Sequence, residues 1–119
     1  MWSGRLSQPQ ERGKSWEEAA RVYLERHGLV MIESNFRCKL GEIDLVMRDG
    51  ATLVFVEVRQ RAAGSQVSAA ASITPAKIRR LVRAAQVYLQ RLQRLPPCRF
   101  DVVAIDGRSV EWIRNAIEA

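Results

Sequence analysis

Two segments that flank the dipeptide Asp49-Gly50 constrain the fold of this chain more than any other feature. Residues 42 to 48 and 52 to 59 are both strand-like segments. Asp-Gly is a strong signal for the turn of a β-hairpin. A turn centred on Asp49-Gly50 would place Asp44 opposite Phe55 and Glu42 opposite Glu57. The sequence therefore predicts an antiparallel hairpin.

The two faces of this predicted hairpin differ sharply. One face is wholly apolar and carries Ile43, Leu45, Met47, Val54, Val56 and Val58. The other face brings Glu42, Asp44 and Glu57 together beside Arg59, with Asp44 and Glu57 as diagonal neighbours about 7–8 Å apart. Such carboxylates can share a hard cation such as Mg²⁺. A solvated sheet edge, with its charges kept apart by water, is the other interpretation.

Helix signals frame the hairpin. Ser15 and Glu18 match a capping box, which predicts a helix from Trp16 to about His27 that ends at Gly28. Thr74-Pro75 predicts a second helix that runs to about Leu92, before Pro96. Further strands are predicted at residues 30–37, 99–105 and 110–113. The expected architecture is an α/β domain in the order αβββαββ, with a mixed sheet of about five strands flanked by two main helices.

Length and composition limit the remaining choices. A chain of 119 residues fits one domain, here residues 15–119, and residues 1–14 are expected to form a mobile arm. The stretch at residues 60–72 is either a lid over a substrate or a simple connection. The net charge of +6 favours a polyanionic partner, although charge alone does not separate DNA, RNA and a membrane surface.

Targeting and zinc signals are absent from the sequence. No apolar run approaches the roughly 20 residues that cross a bilayer, and no signal peptide opens the chain, so we expect a cytoplasmic protein without a membrane partner. Two distant cysteines and one histidine do not complete a zinc site.

Several motifs, in order, carry a family resemblance. They are Gly13-x-x-x-Glu17-x-x-Ala20-x-x-Tyr23-Leu24, Asn35-x-Arg37, Gly41-Glu42-Ile43-Asp44, Phe55-Val56-Glu57-Val58-Arg59-x-Arg61, Lys77 and Arg99-Phe100-Asp101-Val102-Val103. With these motifs the chain resembles the YraN family of uncharacterised bacterial proteins over nearly all of its length after the N-terminal arm. That family in turn resembles the PD-(D/E)XK nuclease superfamily, which includes Holliday-junction resolvases and restriction endonucleases.

The resemblance implies a restriction-endonuclease-like fold and a set of site residues. Asp44 and Glu57 would bind Mg²⁺ or Mn²⁺, Glu17 would be an accessory carboxylate on the first helix, and Arg59 would occupy the position of the superfamily lysine. Arginine keeps the positive charge, but it cannot act as a base. Lys77 is either a displaced substitute for that lysine or a solvated residue at the start of a helix.

The resulting expectation is a nucleic-acid-binding protein that hydrolyses phosphodiesters with a metal ion, on DNA rather than RNA. A binding module that keeps the fold without efficient cleavage is the alternative, and a protein-interaction adaptor would leave the positive charge unexplained. Phosphate contacts are expected from Arg61, Lys77, Arg79, Arg80 and Arg83. The oligomeric state stays open, a homodimer included.

Overall fold

In a computed structural model, the backbone of residues 2–5 and all of residues 15–117 are described. The elements follow one another as β1 (Trp2–Arg5), α1 (Trp16–Glu25), β2 (Val30–Cys38), β3 (Gly41–Asp49), β4 (Thr52–Arg61), a short 3₁₀ turn (Ala70–Ser72), α2 (Pro75–Leu89), β5 (Cys98–Asp106) and β6 (Ser109–Ile113). This order confirms the α/β architecture that the sequence predicts for residues 15–117.

The strands form a single mixed sheet with a helix on each face. Its order is β1-β6-β5-β4-β3-β2, and β4 and β5 are parallel, because α2 carries the chain across the sheet between them. On one face α1 packs over a core cluster that includes Leu45, Met47 and Val103. On the other face α2 packs over a cluster that includes Val46, Phe55 and Phe100. The two faces of the central strands are therefore both buried.

Both helices begin where the sequence predicts. The hydroxyl of Ser15 accepts the amide of Glu18 at 3.0 Å, and that of Thr74 accepts the amide of Lys77 at 3.1 Å. Gly28 lies just after α1 with a φ of +96, a positive value that glycine adopts without strain. The second helix ends at Leu89, earlier than the predicted Leu92, because the amides of Arg91 and Leu92 bond to carbonyls three residues back in a tighter turn.

The hairpin register differs from the prediction by two residues. Asp49 pairs with Thr52 and Val46 pairs with Phe55, so the turn consists of Gly50 and Ala51. Gly50 has a φ of +60, a conformation that glycine adopts without strain. The predicted opposition of Glu42 and Glu57 is therefore wrong. A shift by an even number does not by itself move a side chain to the other face of the sheet.

The N-terminal residues contain a strand that the sequence analysis did not predict. The backbone of Trp2–Arg5 pairs antiparallel with β6 and forms an edge of the sheet. Four residues are too few for an alternating pattern to stand out, and their pairing depends on the edge that β6 offers. The remainder of the predicted mobile arm, residue 1 and residues 6–14, lies outside the described residues.

Candidate metal and nucleic-acid site

Glu57 is a carboxylate inside the core. Its position in β4 directs it to the α2 side of the sheet, and it is only 1% exposed. Its Oε1 atom is buried and receives no hydrogen bond from any described residue. Burial, and then the negative charge of Asp44, raise the pKa of Glu57 to about 8. A buried oxygen without a donor is costly unless a cation or a proton compensates it.

Asp44 lies where β3 and β4 separate. The pairing of these strands ends at Leu45 and Val56, and the Oδ2 atom of Asp44 accepts the amide of Val58 at 2.8 Å. The side chain thus replaces a strand-to-strand hydrogen bond at the fork. Asp44 is 8% exposed, and its negative charge acts on Glu57, whose pKa it helps to raise. The structure therefore brings these two predicted site residues together.

The alternation of β3 is broken beside Asp44. Leu45 and Met47 pack on the α1 side and Val46 packs on the α2 side, as the sequence predicts. Ile43, however, packs on the α2 side with Val46, so its predicted place opposite the carboxylates is wrong. Two residues rather than one separate Ile43 from Val46, which requires a change of face near Asp44.

Glu17 approaches the pair from the other face of the sheet. Burial and the adjacent Asp44 carboxylate raise the pKa of Glu17, and the two carboxylates lie within hydrogen-bonding reach. Glu18 instead faces Arg21, with 3.6 Å between the charged atoms. Glu17, the accessory carboxylate that the resemblance implies, is therefore the first-turn glutamate that lies close to Asp44. A cavity of about 220 Å³ opens beside Glu17, lined also by Ser15, Glu18, Arg21, Ser34, Asn35 and Leu45.

Arg59 lies beside Glu57 and is anchored by the 3₁₀ turn. Its Nε donates to the hydroxyl of Ser72 at 3.2 Å and its Nη2 donates to the carbonyl of the same residue at 3.3 Å. Its Nη1 lies 4.0 Å from Oε2 of Glu57. The amide of Ala69, a fully buried residue just before this turn, donates to Asp106 at 2.8 Å. The second half of residues 60–72, the stretch interpreted as either a lid or a connection, is thus anchored to the domain.

Lys77 supplies an ammonium group at the site. Its Nζ lies 3.8 Å from Oε2 of Glu57 and 3.5 Å from Oε1 of Glu42, and only 23% of the side chain is exposed. Glu42 is also paired with Arg37 at 3.5 Å. The interpretation of Lys77 as a solvated lysine at the start of a helix is wrong, because the first turn of α2 faces the carboxylates.

The donor set fits a hard divalent cation with few protein ligands. Among the described residues no three His, Cys, Asp or Glu side chains are grouped as ligands of a metal ion. Mg²⁺ is commonly held by one or two carboxylates and completes its shell with water and substrate phosphate. Asp44 and Glu57 provide such a pair, and the buried Oε1 of Glu57 offers an unused acceptor. The residues are compatible with Mg²⁺ or Mn²⁺.

The predicted phosphate-binding residues fall into two groups. Arg79, Arg80 and Arg83 are exposed on α2, and none of them pairs with a carboxylate in the described part of the chain. A Cβ atom on Gly41 would lie 2.1 Å from the carbonyl oxygen of Arg80, so this part of α2 packs directly on the turn between β2 and β3. Arg61 is half-buried and donates to the carbonyl of Gln60 at 3.0 Å, which leaves it less available.

Sequence reasoning missed three features of this region. Glu42 pairs with Lys77, Ser72 accepts hydrogen bonds from Arg59, and Asn35 adopts a left-handed backbone conformation with φ 54 in the middle of β2. The first two contacts depend on how distant segments dock. Only Asn35 carries a local signal, since asparagine is enriched in this conformation.

Residues 16–105 match the model of an uncharacterised protein family, UPF0102. A UPF0102 protein of Herminiimonas arsenicoxydans is 57% identical over 107 residues, which cover 90% of this chain and 86% of that protein. A UPF0102 protein of Nitrosomonas eutropha is 48% identical over 114 residues, which cover 95% of this chain and 98% of its relative. No helix in the described part of the chain is long and apolar enough to span a membrane.

Proposed function

Because this chain belongs to the uncharacterised family UPF0102, whose relatives' names record no activity, we propose its function from the site itself. The protein binds DNA through α2 and hydrolyses a phosphodiester beside Asp44 and Glu57 with Mg²⁺ or Mn²⁺. The observation that carries this proposal is the buried Glu57, whose Oε1 lacks a donor among the described residues while Asp44 lies against it. A purely structural core would gain nothing from two adjacent buried carboxylates.

Each side chain of the site has a role in this proposal. Asp44 and Glu57 hold the cation, which would activate water and offset charge on the phosphate. Glu17 orients Asp44 from the α1 side. Lys77 neutralises Glu57 and Glu42 and provides a positive charge for the phosphate, and so acts as the displaced substitute for the superfamily lysine. Arg59 anchors the turn at Ser72.

The exposed arginines of α2 provide the binding surface. Arg80 follows Lys77 by one helical turn, so a phosphate backbone that crosses Arg80 passes close to the carboxylates. Such contacts fix the position of nucleic acid without reading its sequence. The choice of DNA over RNA comes from the resemblance to nucleases of DNA.

Arg59 supports a second candidate, a binding module without cleavage. If the ammonium of Lys77 does not replace the superfamily lysine, the site retains charge but loses efficient chemistry. The carboxylates would then remain as a cation site that neutralises bound phosphate.

A cleavage assay separates the two candidates. Labelled single-stranded, duplex and branched DNA, with matched RNA, are incubated with the protein in Mg²⁺, Mn²⁺ or EDTA. We expect metal-dependent cleavage of DNA that Glu57→Gln abolishes and Glu25→Gln, on the surface of α1, leaves intact. Binding without cleavage of any substrate would favour the second candidate. If the protein neither binds nor cleaves any of these substrates, both candidates are refuted.

A further inference from the structure

Asn35 interrupts β2 in an unusual way. Its φ is 54, whereas regular strand residues have φ near −120° to −140°. Residues other than glycine rarely adopt this backbone conformation, and asparagine is one of the few that tolerate it. The conformation lies inside the strand rather than in a turn, so no chain reversal explains it.

The strand pairing breaks at the same place. Ser34 pairs with Leu45 and Phe36 pairs with Ile43, but Asn35 and Asp44, which stand opposite each other between these pairs, are not paired. Asp44 also lies just beyond the end of the pairing between β3 and β4. It is thus released from the ladders on both of its sides.

Both strands change faces across this break. Leu45 packs on the α1 side, whereas Ile43 and its partner Phe36 pack on the α2 side. Residues two apart in a regular strand share a face, so each strand turns over between these positions. In β2 this change of face coincides with the left-handed residue Asn35, and in β3 the matching change of face occurs at Asp44.

This reversal explains how one aspartate meets carboxylates from both sides of a sheet. Glu57 lies on the α2 side and Glu17 belongs to the helix on the α1 side, yet Asp44 is within hydrogen-bonding reach of each. In a regular strand Asp44 would face only one side. The amide of Val58 holds its carboxylate at the crossing point, 2.8 Å from Oδ2.

We propose that Asn35 is the positioning residue of this site: its left-handed backbone turns β2 and β3 over and so brings Asp44 between Glu17 and Glu57. Asn35 acts through its backbone conformation, and its amide side chain is not required. The consequence for cation affinity rests on the proposed function, whereas the placement of Asp44 does not.

Two substitutions test the backbone directly. Asn35→Gly keeps the left-handed conformation accessible, and Asn35→Ala disfavours it, while both remove the side-chain amide. Asn115→Ala is the matched control. Asn115 has a similar φ of 51, but it lies away from the site, and its backbone N–H donates to Asp101. The first measurement is hydrogen exchange of the Val58 amide in metal-free buffer, which reports whether Asp44 still accepts it. The second is the affinity for Mn²⁺.

We expect Asn35→Ala to lose protection at Val58 and to bind Mn²⁺ about 10- to 100-fold more weakly, as for other residues that orient metal ligands. Asn35→Gly and Asn115→Ala should keep both properties. Equal losses in Asn35→Gly and Asn35→Ala would show that the side chain matters and would overturn the proposal, as would full retention in Asn35→Ala. If exchange at Val58 behaves as expected but even the wild type binds no Mn²⁺, the positioning role stands and the proposed function fails.

Discussion

The ammonium nitrogen of Lys77 lies 3.8 Å from Oε2 of Glu57, so the first turn of α2 delivers a positive charge to a carboxylate in the centre of the sheet. Arg59, which follows Glu57 in the same strand by two residues, lies 4.0 Å from the same oxygen and is also hydrogen-bonded to Ser72. Glu57 is therefore paired with one cation from β4 and one from α2.

Lys77 is expected to be required for cleavage. Lys77→Met keeps much of the side-chain length but removes the charge, and loss of one preorganised electrostatic contact typically lowers kcat by about 100- to 1,000-fold. The measurement is the initial rate of metal-dependent cleavage, with Lys39→Met in the exposed turn between β2 and β3 as the control. Equal rates in the two variants would exclude Lys77 from the chemistry.

Arg59→Lys should affect stability more than activity. Lysine cannot reproduce the two hydrogen bonds that Nε and Nη2 make to Ser72, and each lost bond costs about 0.5–1.5 kcal/mol. Urea unfolding measures this loss, and the cleavage rate should change far less than in Lys77→Met. A large gain in cleavage from Arg59→Lys would instead identify arginine as the residue that limits the reaction.

Glu57 should make the metal-free protein less stable as the pH rises. Its pKa is about 8 in the folded chain against an ordinary value of 4.5, so the folded state holds the proton that the unfolded state releases between these values. The free energy of unfolding therefore falls across this window, by at most about 1.4 kcal/mol per pH unit from this group. Urea unfolding in EDTA at pH 5, 6.5 and 8 measures the slope.

Glu57→Gln provides the control for that slope. The glutamine amide of this variant does not titrate. Between pH 5 and pH 8 the wild type should therefore lose unfolding free energy relative to the Glu57→Gln variant. A difference that stays constant with pH would show that Glu57 titrates normally in the folded protein.

The α2 surface predicts a salt-dependent affinity for DNA. On duplex DNA the logarithm of the affinity falls with the logarithm of salt concentration by about 0.9 per phosphate contact. The double variant Arg79→Gln/Arg83→Gln should therefore bind more weakly and reduce the slope by about 1.8, if each arginine makes one contact. Fluorescence anisotropy at several salt concentrations measures both quantities.

Removal of the same charge elsewhere is the matched control. Arg26 and Arg48 are exposed outside α2, and Arg26→Gln/Arg48→Gln should leave the slope nearly unchanged. Similar losses in the two double variants would mean that net charge, rather than the α2 surface, attracts DNA.

Local signals predicted much of the fold and part of the site. The hydroxyls of Ser15 and Thr74 begin the helices as expected, and the strand periodicity located β2 to β6. The register error of two residues did not separate Asp44 from Glu57, because side-chain direction repeats every two residues.

The remainder depends on interactions between distant segments. The approach of Lys77 to Glu57 is set by how α2 docks on the sheet, which its own residues do not encode. Strand β1 depends on an edge that β6 provides. The misplaced Ile43 follows from a reversal at Asn35 and Asp44, and a strand pattern assumes regular alternation throughout.

Binding of Mn²⁺ tests the central claim most directly, because it requires only that Asp44 and Glu57 hold a hard cation. Electron paramagnetic resonance measures free Mn²⁺ during titration of the wild type, Asp44→Asn, Glu57→Gln and the surface control Glu25→Gln. We expect the wild type and the control to bind Mn²⁺ with equal affinity, in competition with Mg²⁺, and both site variants to bind at least about tenfold more weakly. Equal affinity in all four proteins, or no binding by the wild type at pH 8, would contradict the assignment of a metal site to these carboxylates.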